Sequence, residues 1–147
     1  MSPELLDPGQ FGSEDGQPTK ESDCYALGMT ILEVLSGRPP FYYYRYLTVM
    51  QKVIEGERPR RIEGPEGGWF TDDLWEMLEL CWSHQSENRA SIEAVLECLE
   101  QGLTTWQPLP PGLDNATQTD DNEGSHPMVT KSCMFPHFIL DIILTIT

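Results

Sequence analysis

The 147 residues carry 9 Lys and Arg against 24 Asp and Glu, a formal net charge of −15 with a pI near 4.3. Such a field repels polyphosphates and excludes nucleic-acid or anionic-bilayer binding by general basic charge. The length suits one compact domain, or a small domain with a tail, and the 39% hydrophobic content with 4 Trp, 5 Tyr and 5 Phe excludes disorder throughout.

The first 20 residues read mostly as loop, punctuated by Asp7-Pro8-Gly9 and Gly12-Ser13-Glu14-Asp15-Gly16, after a helical turn over Pro3 to Leu6 with Ser2 as N-cap. Ser22 is expected to cap a helix over Asp23 to Ser36, closed by Gly37 and the Pro39-Pro40 stop. The apolar residues of that helix point in nearly every direction around its axis, so it is expected in the middle of the fold, surrounded by other elements. Three amphipathic helices follow. Tyr46, Leu47, Met50, Val53 and Ile54 end at Gly56; Leu74, Met77, Leu78, Cys81 and Trp82 follow a Thr71 N-cap with Asp72 and Asp73 in the first turn; Ile92, Val95, Leu96 and Leu99 follow a Ser91 N-cap and stop at Gly102.

No segment keeps the period-2 alternation of a strand, so the fold class is all-α, one buried helix with amphipathic partners. Residues 1–106 form the folded part, and the Pro-rich and polar stretch 107–133 is expected to be a disordered linker. Residues 134–147 form an apolar extension of about 14 residues, where a membrane span needs roughly 20. With Pro136 and Asp141 inside it, no membrane span is expected there.

Four cysteines, Cys24, Cys81, Cys98 and Cys133, form no C-x-x-C pair. The first three fall inside apolar helical patterns, as reduced packing residues of a cytoplasmic protein do. Met1-Ser2-Pro3-Glu4 lacks the basic and then apolar run of a secretory signal.

Catalytic inventories come up short. His84, His126 and His137 are isolated from one another, and Gly64-Pro65-Glu66-Gly67-Gly68 has acidic neighbours and no following Lys or Ser/Thr, so neither a metal cluster nor a phosphate cradle is indicated. No self-contained catalytic, metal or cofactor site is therefore expected. Three charged residues stand in unusual settings: Glu4 beside Pro3 at a helix start, Asp23 at the head of the apolar helix, and Arg89 just before the last helix. A buried charge must be paired or hydrogen-bonded. Asp23 as a helix-dipole partner and Arg89 as a solvated surface charge are the plainest alternatives.

Three segments, in order and at matching spacing, resemble the protein kinase family. Met1-Ser2-Pro3-Glu4-Leu5-Leu6 is similar to the A-P-E-L-L end of a kinase activation segment, with Ser2 in place of Ala. Residues 22–41, beginning Ser22-Asp23-Cys24-Tyr25-Ala26-Leu27-Gly28 and ending Gly37-Arg38-Pro39-Pro40-Phe41, resemble the family's S-D-V-[YW]-S-x-G and T-G-x-x-P-F segment in the central helix of the large lobe. Cys81-Trp82 through Arg89-Ala90-Ser91 resembles C-W-x-x-x-P-x-x-R-P-[ST], with Ser86 and Ala90 replacing prolines and loosening the loop that carries Arg89. The C-W form is most like tyrosine kinases and tyrosine-kinase-like serine/threonine kinases.

The resemblance covers roughly residues 1–102 and implies a partial large lobe. It implies an ion pair between Glu4, next to Pro3, and Arg89; an Asp23 carboxylate that accepts from the catalytic-loop backbone; a Gly28 that allows close helix approach; and a Trp82 packed near the Arg89 pair. The family reaction is ATP-dependent phosphorylation of protein hydroxyls with magnesium, but the Gly-rich loop, strand Lys, catalytic-loop Asp and Asn and D-F-G Asp all precede the matched segments. The chain is therefore expected to be a piece of a longer kinase domain, inactive alone and without cofactor, with a protein substrate or docking partner. The alternative is a non-catalytic helical interaction module, with Phe41-Tyr42-Tyr43-Tyr44 and Trp69-Phe70 as exposed aromatic anchors. The same aromatics are otherwise expected to pack under further parts of the lobe.

Overall fold

The computed structural model describes residues 1–12, 16–63 and 70–105, without the side chains of Leu103 and Thr105. The expectations for Trp69, the loop at 64–68, the linker 107–133, the extension 134–147, His126, His137 and Cys133 lie outside the described residues. Within them the protein is all-α: α1 (Pro3–Leu6), α2 (Lys20–Ser36), α3 (Tyr46–Ile54), α4 (Asp72–Cys81) and α5 (Ile92–Thr105), with 3₁₀ turns at Pro8–Phe11 and Ser86–Asn88. The chain divides into two compact units, Met1–Cys98 and Leu99–Thr147. Of the second, the described part is the helical stretch 99–105.

Local chemistry sets most helix ends. Thr71 Oγ1 accepts from Leu74 N at 3.3 Å to start α4, and Ser91 Oγ accepts from Ala94 N at 3.2 Å to start α5. Gly37, at φ 67°, closes α2 by donating to Glu33 O at 2.8 Å, a left-handed cap suited to a residue without a Cβ. Ser2 takes the N-cap position of α1 as expected, without a side-chain capping bond. Two expectations are corrected. The α2 cap is Thr19: Ser22 N donates to Thr19 Oγ1 at 3.2 Å while Thr19 N donates to Ser22 Oγ at 2.9 Å, a reciprocal capping box that starts the helix three residues early. Helix α5 runs through Gly102 to Thr105, because an interior glycine costs only about 1 kcal/mol and no proline follows before Pro108.

Packing centres on α2 and α4. Cys24, Tyr25, Gly28, Ile31, Leu32 and Leu35 are buried on α2, and Leu74, Trp75, Leu78 and Cys81 on α4. A Cβ at Gly28 would lie 2.8 Å from Cys81 Cβ and 2.6 Å from Trp82 Nε1, so the two segments meet closely only because the side chain is a hydrogen. Trp75 carries edge contacts to Trp82 and Phe70, with ring centroids 5.6 and 5.8 Å away. Arg61 pairs with Asp72 at 2.7 Å, lies over the Trp75 ring and donates to Phe70 O, which fixes the chain entering α4.

The expectation that α2 is surrounded on every side is corrected, because one of its faces is open. Asp23, Ala26, Thr30 and Glu33 form an exposed stripe at helical spacing. The short Ala26 and the three polar residues let water reach that face without exposing a large apolar side chain.

Candidate functional site

Arg89 is the focus of the molecule's buried polar chemistry. The 3₁₀ turn at Ser86–Asn88 delivers it in extended backbone, at φ −75° and ψ 151°, and its side chain has no solvent exposure. Its Nη1 and Nη2 donate to Glu4 Oε1 and Oε2, both at 2.7 Å, in a two-point fork. Nη1 also donates to Glu21 O at 2.9 Å and Nε to Ser83 O at 3.1 Å. One side chain thus ties α1, the first turn of α2 and the chain leaving α4, across 85 residues of sequence. Proline at the start of α1 loses no backbone donor that the helix needs, and it orients Glu4 toward this fork.

The electrostatics favour an ionised Glu4. Partial burial pushes its carboxyl up, but the Arg89 hydrogen bonds and the backbone N–H at the head of α1 outweigh it and hold the carboxyl below its usual range. Such a pair contributes little over an apolar substitute, but breaking it costs about 3–5 kcal/mol because a buried charge is left alone.

Two further residues belong to this site: Tyr25, at the [YW] position of the kinase-like segment but given no role there, and Arg58, which lies outside every matched segment. The Tyr25 ring, almost fully buried, lies 5.2 Å under the Arg89 guanidinium and 5.5 Å under that of Arg58. Arg58 donates from Nε to Trp82 O, from Nη1 to Glu57 O at 2.8 Å and Val53 O at 3.2 Å, and its Nη2 stands 3.4 Å from His84 Nδ1. Burial lowers the Arg58 pKa and pushes the Tyr25 phenol up to about 12. Arg58 and Arg89 between them satisfy the carbonyls of Trp82 and Ser83, the free C-terminal end of α4. A tyrosine inside the most apolar helix of the sequence, and an arginine followed by proline, are the signals that mark them.

The other sequence-predicted residues take different places. Gly28 lies against Cys81 and Trp82, as a close helix approach requires. Trp82 is buried and packs on Trp75, while the ring over which Arg89 sits is Tyr25. Asp23 is exposed at the head of α2, with no side-chain hydrogen bond or ion pair among the described residues. Of the aromatics that the interaction-module alternative needs exposed, Phe41 and Phe70 are buried, Tyr43 and Tyr44 half-buried and Tyr42 exposed among the described residues. They pack on one another, with ring centroids 4.8–6.5 Å apart from Phe41 to Tyr44.

Cys24 and Cys81 are buried packing residues. The Cys24 thiol donates to Ala90 O at 3.0 Å, and Cys81, with no exposed surface, has its thiol held far above the usual range by Cys24 beside it and by burial. Among the described residues no three His, Cys, Asp or Glu side chains converge to hold a metal ion. Nor is any helix among them long and apolar enough to cross a membrane. The arrangement positions and holds chain segments.

The family model describing protein tyrosine and serine/threonine kinases matches residues 1–99. The chain is similar to the human proto-oncogene tyrosine-protein kinase ROS, 30% identical over 101 residues, which are 68% of this chain and 4% of that protein. It is 28% identical over 97 residues to the dual specificity mitogen-activated protein kinase kinase mek-1 of Caenorhabditis elegans, covering 66% of this chain and 25% of the relative. The serine/threonine-protein kinase VIK of Arabidopsis thaliana is 31% identical over 83 residues, 56% of this chain and 18% of its own length. The chain spans at most a quarter of the length of these relatives. No solved structure matches it significantly.

Proposed function

The chain belongs to the protein tyrosine and serine/threonine kinase family over residues 1–99, and on that premise we propose that it forms the helical closing part of a kinase large lobe, held together by the Glu4–Arg89 fork. The reaction of the whole domain is ATP-dependent transfer of a phosphoryl group to a protein hydroxyl, and the partner is a protein substrate. The observation that carries the reading is the two-point Glu4–Arg89 contact at 2.7 Å, which links the first and third kinase-like segments. The exposed stripe along α2, headed by Asp23, supports it as the face on which the remainder of such a lobe rests.

None of the 147 residues matches the Gly-rich loop, the strand Lys, the catalytic-loop Asp and Asn or the D-F-G Asp that hold nucleotide and magnesium in this family. By this reading the chain alone binds no magnesium-ATP and transfers no phosphate. The three cysteines among the described residues, Cys24, Cys81 and Cys98, are free thiols, which supports a reducing compartment, and we place the protein in the cytoplasm on that ground.

Calorimetric titration of the chain with magnesium-ATP is expected to show no binding; binding at micromolar concentration would overturn the inactive reading. A hybrid tests the positive part. When residues 1–99 replace the matching segment of a related kinase domain, the product is expected to phosphorylate protein substrate, and Arg89→Ala in it to cut the rate at least about tenfold. A hybrid that is folded by circular dichroism yet inactive with Glu4 and Arg89 intact contradicts the assignment. The interaction-module alternative loses two of its anchors, since Phe41 and Phe70 are buried.

A further inference from the structure

Two thiols meet at the contact between α2 and α4. Cys24 and Cys81 are both reduced and buried, at 1% and 0% exposure, and the Cys81 thiol hydrogen-bonds to the Cys24 sulfur. The helices come close enough for this because Gly28, one turn along α2 from Cys24, has no side chain. A Cβ there would lie 2.8 Å from Cys81 Cβ. A disulfide needs such proximity, since its two Cβ atoms stand only about 3.5–4.5 Å apart. The pairing belongs to this chain more than to its family. The kinase-like segment S-D-V has valine at the position of Cys24, so this residue supplies a second sulfur beside the cysteine of the C-W segment.

The two sulfurs are unequal. The hydrogen bond from Cys81, reinforced by the Arg89 charge, holds the Cys24 thiol below its usual range against the opposing effect of burial. Cys81 is held far above its usual range, first by that same bond and then by burial. One sulfur is suited to attack, and the other keeps its proton beside it. The cover over Cys24 is thin on one side. Cys24 Sγ donates to Ala90 O at 3.0 Å, and Ala90 is half-buried in the loop where it and Ser86 stand in place of prolines.

We propose that Cys24 and Cys81 are a reversible dithiol–disulfide site, oxidised by a hydroperoxide, whose bond cross-links α2 to α4. Opening of the Ala90 loop admits the peroxide while both helices stay folded. The Cys24 thiolate attacks one peroxide oxygen, the O–O bond breaks, and the leaving alkoxide or hydroxide takes up a proton to give an alcohol or water. Cys24 becomes a sulfenic acid and loses its negative charge, which releases the Cys81 proton from the influence that held it. The Cys81 sulfur then attacks the Cys24 sulfur. The S–S bond forms, the S–O bond breaks, and hydroxide leaves as water with the Cys81 proton. Two thiols give up two electrons, the peroxide accepts them, and a dithiol reductant reverses the reaction. Transient disulfides of this kind are the ones that persist in a reducing compartment.

The test is treatment of the full chain with hydrogen peroxide, alkylation of the remaining thiols in urea, and peptide mapping by mass spectrometry without reductant. The expected product is a Cys24–Cys81 linked peptide, lighter than its two parts by two hydrogens. It should exceed any link to Cys98 or Cys133 at least about tenfold and disappear with dithiothreitol. Oxidation is expected to raise the urea midpoint, because the bond closes a long loop of the unfolded chain. Cys24→Val places the residue of the family segment there and keeps the packing apolar, and it is expected to remove both the link and the midpoint shift. Cys24 and Cys81 that stay alkylatable while Cys98 oxidises, a predominant link between Cys81 and Cys98, or the same midpoint shift in the Cys24→Val variant overturns the proposal.

Discussion

Every nitrogen of the Arg89 guanidinium donates inside the protein, to a carboxylate and two backbone carbonyls. Arg89→Ala leaves the Glu4 carboxylate without its cation and is expected to cost about 3–5 kcal/mol in urea denaturation. Arg89→Lys is expected to recover only part of this, because a single ammonium cannot span both carboxylate oxygens and Ser83 O. The Glu4 carboxyl is held below its usual value in the folded protein, so its contribution is fully present above the unfolded pKa of about 4.3. It is lost as pH falls through the lower folded value. Acid titration of stability should therefore decline below about pH 4.5, and Glu4→Gln should remove that part of the slope. Tyr25 behaves in the opposite sense: with its phenol raised to about 12, its contribution is complete below pH 10 and is lost as pH climbs through the folded value. Its buried hydroxyl has no hydrogen-bond partner among the described residues, so Tyr25→Phe should be neutral or stabilising at pH 7 and should reduce the alkaline loss, read from unfolding curves on either side of pH 10.

At the scale of elements, the contact between α2 and α4 depends on the missing side chain of Gly28. Gly28→Ala places a methyl within 2.8 Å of Cys81 Cβ and 2.6 Å of Trp82 Nε1, and both neighbours are fully packed. Overpacking of this kind costs about 1–3 kcal/mol, and thermal melting should show a Tm lower by at least about 4 °C. An unchanged Tm would mean that the two helices part freely. These elements also show what the sequence makes legible. Helices α3 and α4 were readable because their apolar spacing is regular and because Thr71 is a strong local cap, and the start of α5 was readable from Ser91. The α2 start is ambiguous in the sequence because Ser22 and Thr19 are both capable caps, and only the reciprocal bonds between them decide which one leads. The Glu4–Arg89 fork was legible through family resemblance and not from spacing, since nothing local connects residues 85 apart. Tyr25 and Arg58 escaped because an aromatic residue in an apolar helix and an arginine in a basic run have commonplace explanations, and their meeting is a property of the tertiary fold.

For the whole molecule, charge and exposed apolar surface both work against high stability. Up to Trp106 there are 8 basic and 19 acidic residues, a net of −11. Tyr46 and Leu47 are 76% and 79% exposed at the head of α3. Apolar surface left in water forgoes about 25 cal/mol per Å², and self-repulsion among like charges destabilises the compact state. The melting temperature is expected below about 65 °C, and it should rise when salt is added from low to physiological ionic strength, as repulsion is screened. A Tm that falls with salt would show attractive pairs outweighing that repulsion. Arg89 pins the P-E-L-L segment to the folded unit through Glu4, the contact on which the kinase-lobe reading rests. A double-mutant cycle with Glu4→Gln, Arg89→Met and the pair together, followed by urea denaturation, measures that contact directly. The structure predicts a coupling energy of about 2 kcal/mol or more, and a coupling below about 0.5 kcal/mol would contradict it.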